Sequence, residues 1–500
     1  MADDGVLIGN SEHFEYLRLD RANRHGLVAG ATGTGKTVTL QVLAQGFSDA
    51  GVPVFAADVK GDLSGISMTG TPNEKMLARA QSMKLELHPS AAPVVFWDLF
   101  GDQGHPIRTT VSEMGPLLIS RMLDLNDVQE GVMAVVFRAA DEEGLLLLDM
   151  KDLQAALNYV SEHAADLSAR YGRVAPATVA TIQRKLLVLE DQGGDRLFGE
   201  PALDLGDLMR CDGSGRGYVN LLAADKLISN PQLYATFLLW LMSELFEQMP
   251  EVGDPEKPRL VFFFDEAHLL FRDAPKALLE KVEQVVRLIR SKGIGVYFIT
   301  QNPADIPQTV LGQLGNRVEH ALRAYTPVEQ RGLRAAADSF RPNPAFDTAE
   351  AIQALGVGEA LVSVLDERGA PTMVARTMIR PPNSRIGPAT PAERAQVMAG
   401  SPVKGLYDQV VDRESAYERL NVRTQVEAPT AEAQPEAPQK DSNPVGEWAG
   451  SAASVVFGRQ GGRQSMAETF AKQLIRTVAS TAGREIMRGM LGGLSGRKRR

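Results

Sequence analysis

With 500 residues, 44% of them apolar and 23% charged, the chain has material for one large domain with appendages or for two or three ordinary domains. A net charge of −9 excludes a surface coated with basic residues, although a local channel can hold nucleic acid on an acidic protein. Cys211 is the only cysteine, which rules out an intrachain disulfide or a multi-cysteine metal centre and makes a reducing cytoplasm the natural compartment.

In chain order, residues 1–24 form a short N-terminal segment whose acidic start, Met1-Ala2-Asp3-Asp4, lacks a signal-peptide pattern. Residues 25–100 hold three apolar runs expected to be strands, Gly26–Ala29, Pro53–Ala57 and Pro93–Trp97, with a helix over Lys36–Ser48. Residues 101–257 lose the strand signals and become mostly helical in period, so they are expected to be a helical insertion; the apolar run Leu233–Phe246 within them is too short to cross a bilayer and predicts a buried helix. Alternation resumes over 258–382, with strands at Leu260–Phe264 and Val296–Thr300. A hairpin follows, made by Ala360–Leu365, the turn Asp366-Glu367-Arg368-Gly369 and Thr372–Ile379. An extension over 383–425 leads to a linker over 426–462, rich in Ala, Glu, Pro and Gln and expected to be disordered. In 463–500, Met466, Phe470, Leu474, Val478, Ala482, Ile486 and Met490 share one helix face with basic residues elsewhere, predicting a basic amphipathic helix. The whole predicts an α/β fold with a mainly parallel, doubly wound sheet that binds ligands at the carboxyl ends of its strands.

The chemistry concentrates at those ends. Gly30-Ala31-Thr32-Gly33-Thr34-Gly35-Lys36-Thr37 is a P-loop: glycines let backbone N–H groups approach phosphates, Lys36 supplies a mobile ammonium, and the Thr37 hydroxyl can ligate Mg²⁺. The following helix adds its positive dipole end. Leu260–Phe264 then delivers Asp265, suited to hold Mg²⁺ through water, and Glu266, suited to take a proton from the attacking water of ATP hydrolysis. Gln301, after the next strand, can sense the γ-phosphate or position water. Asp58, Lys60 and Asp62 follow the second strand at the same edge, with Asp58 assigned to nucleotide binding and a solvated turn as the plainer alternative. Arg287 and Arg290 are both candidates for an arginine finger supplied to a neighbouring subunit, against an ordinary solvated helix face.

The ordered set Arg24-His25-Gly26-Leu27, Gly30–Thr37, Asp58-Val59-Lys60-Gly61-Asp62-Leu63, Phe264-Asp265-Glu266-Ala267-His268 and Thr300-Gln301-Asn302-Pro303 resembles the bacterial HerA-like helicase family of the HerA/FtsK superfamily. The likeness runs roughly from Val6 to Pro382. One bacterial branch looks similar also in Gly104-His105-Pro106-Ile107-Arg108-Thr109-Thr110 and Arg488-Gly489-Met490-Leu491-Gly492. The resemblance implies a RecA-like (ASCE) P-loop core, a homo-hexamer with ATP and Mg²⁺ between subunits, and pumping of double-stranded DNA. It also implies a trans-acting arginine a little over twenty residues beyond the catalytic glutamate, which Arg290 fits best. Only about two dozen residues precede the P-loop, leaving no room for the β-barrel by which archaeal members help to dock a nuclease, so no partner nuclease is carried over.

Two other functions share these motifs: an ATPase that remodels or threads protein, and a nucleotide-gated scaffold, which would have no need of Glu266 and Gln301. The letters Asp-Glu-Ala-His also occur in DEAH-box RNA helicases, but no second core follows here. The C-terminal helix has three readings: docking on its own ring, a DNA-contacting arm, or contact with a membrane surface.

Overall fold

Short apolar runs alternating with helices build, in the computed structural model, one twelve-stranded sheet with a hydrophobic core on each face. The structure describes residues 5–271 and 276–427, apart from the side chains of 276–278, 281 and 423–427. Residues up to Val422 form one compact unit.

The strands in chain order are β1 (Gly5–Asn10), β2 (Phe14–Arg18), β3 (Gly26–Ala29), β4 (Val54–Asp58), β5 (Val94–Asp98) and β6 (His105–Pro106). They continue with β7 (Val219–Ala223), β8 (Leu260–Phe264), β9 (Ile294–Thr300), β10 (Asn316–His320), β11 (Glu359–Ser363) and β12 (Ala375–Ile379). Their spatial order is β2-β1-β12-β11-β10-β3-β9-β8-β4-β7-β5-β6. From β10 to β6 every pairing is parallel, whereas β11, β12, β1 and β2 extend the sheet antiparallel.

Parallel strands covered on both faces read as unbroken apolar runs, since neither side meets water. In β8, Phe262 and Phe264 enter one core while Val261 and Phe263 enter the other. The P-loop helix Lys36–Asp49 packs in the second core and the helix Pro231–Gln248, buried over most of its length, packs in the first. Among the described residues no helix is long and apolar enough to cross a membrane.

The five expected strands appear as β3, β4, β5, β8 and β9, and the expected hairpin as the antiparallel pair β11–β12. Two segments differ. The interval 101–257, expected to be a helical insertion, is helical in its greater part but also supplies β6 and β7, and β7 lies inside the sheet between β4 and β5. Its signal is hidden because the five-residue run is interrupted by the polar Asn220, whose amide is satisfied only in the tertiary fold. Residues 1–24 are more than a lead-in: β1 and β2 form a hairpin that joins the sheet through β12. The linker expected over 426–462, beyond its first two residues, and the basic helix expected over 463–500 lie outside the described residues.

Candidate nucleotide site

Because β3, β9, β8 and β4 are parallel neighbours, their carboxyl ends reach one edge of the sheet. The P-loop leaves β3 there. Gly30, Gly33 and Gly35 have φ of 144°, 79° and 117°, a region that side-chain-bearing residues rarely adopt. At Gly30 a Cβ would also lie 2.5 Å from the Cβ of His320, so glycine lets β10 pack directly against the loop. The Ala31 N–H donates to the Ala321 carbonyl (2.9 Å), and the Gly358 N–H to the Thr34 carbonyl (3.0 Å). Arg79 in turn holds the Gly358 and Val357 carbonyls at 2.8 and 2.9 Å.

The Lys36 ammonium donates to the Gly30 and Ala31 carbonyls at 2.6 and 3.0 Å. Burial lowers its pKa, while Glu266, Asp265 and Glu319 pull the other way. His320 gives its Nδ1 proton to the Glu359 carbonyl (2.9 Å), which leaves Nε2 to accept from the Thr39 hydroxyl (2.8 Å). Burial holds this imidazole neutral by pushing its pKa down to about 4. Glu319, 2% exposed, is raised well above the usual carboxylate range by burial.

The second strand end presents the two acids. Asp265 Oδ1 accepts from the Glu266 N–H (2.9 Å), and the Tyr234 hydroxyl donates to the Asp265 carbonyl (3.1 Å). Glu266 has φ 48°, a left-handed conformation that costs a non-glycine residue about 1–2 kcal/mol. The residue is 4% exposed and three side chains surround its carboxylate. Lys60 Nζ lies 2.7 Å from Oε1, Gln301 Nε2 lies 3.2 Å from both oxygens, and His268 Nδ1 lies 3.4 Å from Oε2. Gln301 Oε1 accepts in addition from the Thr32 hydroxyl at 3.2 Å. A chain of polar contacts thus runs from the P-loop through Gln301 and Glu266 to Lys60.

Burial and the adjacent Glu266 charge push Asp265 up to about 7. Burial acts the same way on Glu266, but the hydrogen bond and charge of Lys60, with Gln301 and His268, hold it below the usual range. Two neighbouring carboxyls therefore have opposite proton affinities. Among the described residues no cluster of three or more His, Cys, Asp or Glu side chains forms a metal cage. Mg²⁺ needs none where phosphates and water supply most of its oxygens, and the Thr37 hydroxyl with Asp265 is the matching hard-oxygen donor set.

Asp58 ends β4 and is 5% exposed, with Oδ1 unpartnered. It lines a cavity of about 330 Å³ with Lys60, Asp102, Asp225 and Arg394. It stands within electrostatic reach of Asp265, and no contact joins it to the P-loop. Arg290 is not brought to this cluster either. It precedes β9, whereas Gln301 follows it, and its guanidinium pairs with Asp254 at 3.0 Å beside Arg24. Sequence reasoning missed Tyr234, Glu319, His320 and Arg79, all of which meet the site only through long-range packing.

The model of the family described as Helicase HerA-like C-terminal matches residues 6–500. The DNA double-strand break repair helicase HerA of Sulfolobus acidocaldarius is 20% identical over 364 residues, covering 72% of this chain and 66% of that relative, just under two thirds of its length. Among solved structures, the bacterial conjugative coupling protein TrwBdeltaN70 in an unbound form is similar at TM-score 0.51 and 14% identity, over 77% of this chain and 92% of its own. The plasmid coupling protein TrwB in complex with the non-hydrolysable GTP analogue GDPNP gives TM-score 0.50 at 14% identity, over 75% and 90%. At that identity the likeness bears on the fold alone, a RecA-like P-loop core.

Proposed function

The chain belongs to the HerA-like C-terminal helicase family of P-loop ATPases, and from that premise we propose that it is an ATP- and Mg²⁺-dependent motor that works as a homo-hexamer on double-stranded DNA. The observation that carries the hydrolytic half is the run of contacts Thr32–Gln301–Glu266–Lys60, which ties the phosphate loop to a carboxylate able to take a proton. In this reading the backbone of Gly30 to Gly35 and the ammonium of Lys36 cradle the phosphates. Thr37 and Asp265 hold Mg²⁺, which supplies charge neutralisation on the phosphate oxygens.

Glu266 accepts the proton of the attacking water, and Gln301, bonded to both Glu266 and Thr32, orients that water. Asp58, at the end of β4 and within electrostatic reach of Asp265, belongs to nucleotide binding. Arg290 acts on a neighbouring subunit's nucleotide, because its own lies at the far edge of the sheet. A DNA cargo accords with family membership and with a relative named as a DNA repair helicase.

The test is the ATPase rate of the purified full chain with duplex DNA, single-stranded DNA, RNA or unfolded protein. Duplex DNA is expected to stimulate most. Stimulation by unfolded protein alone would replace the DNA motor with a protein-remodelling one.

A further inference from the structure

In this structure Glu266 is held by its partners and not free to act as a base. Its two oxygens face Lys60, Gln301 and His268, and the Lys60 ammonium at 2.7 Å is the strongest of these partners, because a charge-assisted hydrogen bond is about twice as strong as a neutral one. A carboxylate stabilised in its ionised form is a weaker proton acceptor. The other charged groups near Glu266 are Asp265 and Lys36, and neither touches its oxygens.

Lys60 has a second place to go. Its side chain is 47% exposed and lines the cavity of about 330 Å³ that also contains Asp58. Asp58 is two residues back in the same turn and buried; the Leu63 and Gly61 N–H groups face its carboxyl, and its Oδ1 is left without a partner. Such an atom is costly to bury and calls for a donor. The charged groups facing Asp58 are Asp62, Asp265 and Arg394. Arg394 comes from the helix Pro391–Ala399, stacks over Phe96 at 4.2 Å and gives a hydrogen bond to the Gln103 carbonyl, not to Asp58.

We propose that Lys60 is a movable restraint on the hydrolytic base: paired with Glu266 it withholds the carboxylate, and moved to the free Asp58 oxygen it releases it. Lys60 is thus a positioning residue that sets how often Glu266 is free, which rests on the reading of Glu266 as the base. No covalent change is involved, only an exchange of one carboxylate partner for another across the cavity wall.

Three variants of the full chain test this: Lys60→Met, Asp58→Asn and Glu266→Gln, each measured for kcat, KM and affinity for a fluorescent ATP analogue. Lys60→Met is expected to raise basal kcat several-fold with little change in KM. Asp58→Asn should lower kcat while analogue affinity is kept, because Lys60 loses its second seat. A fall in kcat or an unmoved kcat in Lys60→Met overturns the restraint, and unchanged kcat in Asp58→Asn overturns the exchange. Normal turnover in Glu266→Gln would instead sink the base assignment, so the two failures are distinguishable.

Discussion

Asp265 and Glu266 are adjacent in the chain, yet one is pushed up to about 7 and the other held below the normal carboxylate range. The cause is placement: Asp265 is desolvated beside a negative neighbour, whereas Glu266 is also penalised by burial but compensated by Lys60. The sign for stability follows. An aspartate raised from about 3.9 in the unfolded chain holds a proton in the fold that the unfolded state releases, so it favours folding at low pH and opposes it as pH rises toward about 7. Asp265→Asn keeps the oxygen that accepts from the Glu266 N–H and never has to ionise. It is expected to raise the thermal midpoint above that of the parent at mildly alkaline pH, with the gap closing toward about pH 4, while removing Mg²⁺-dependent hydrolysis. Scanning calorimetry across pH without nucleotide measures this, and a pH-independent gap would show that Asp265 is not the titrating group.

At the scale of elements, β7 shows both what holds the sheet and why part of it was hard to foresee. Asn220, its second residue and wholly buried, accepts from the Trp97 indole N–H at 3.0 Å and donates to the Leu208 and Val54 carbonyls at 2.9 and 3.1 Å. It stitches β5 and β4 to the chain leading into β7. Asn220→Leu would withdraw those partners without gaining exposed-to-buried area, so it is expected to cost about 3 kcal/mol, given about 1–3 kcal/mol for each buried group left unpaired. A lowered urea midpoint registers this, and a midpoint equal to the parent's would show that burial alone holds β7. The strands leading to Lys36, Asp265 and Gln301 were legible because each is a largely apolar run followed by glycine, charged or polar residues. By contrast, β7 carries a buried polar residue near its start, and β1 pairs with β12 more than 350 residues away, which no local period encodes. The same limit applies to the site. The P-loop and the two acids announce themselves by spacing, but the Lys60–Glu266 pair and the His320–Thr39 bond depend on strand order, which sequence periodicity leaves open.

For the whole molecule the decisive feature is that the sheet has two edges. Lys36, Glu266 and Gln301 gather at the carboxyl ends of the parallel strands, while Arg290 lies just before β9 begins. Seven strand residues at about 3.3 Å each separate Arg290 from Gln301 by roughly 20 Å, well beyond the reach of an arginine side chain. Arg290 therefore cannot serve its own subunit's phosphates, and a catalytic role requires a neighbour. The Asp254 carboxylate that it shares with Arg24 would then be a storage partner released on assembly. If so, Arg290→Ala and Lys36→Ala are each inactive alone but inactive for different reasons, one lacking the finger and the other the phosphate lysine. Mixed in equal amounts, an Arg290→Ala subunit offers an intact nucleotide site to the intact arginine of a Lys36→Ala neighbour, and such interfaces are expected to recover part of the parental ATPase rate. Light scattering on the same mixture confirms that subunits assemble. Assembly without recovered hydrolysis would assign Arg290 to the Asp254 ion pair alone, and thus to the fold and not to the reaction.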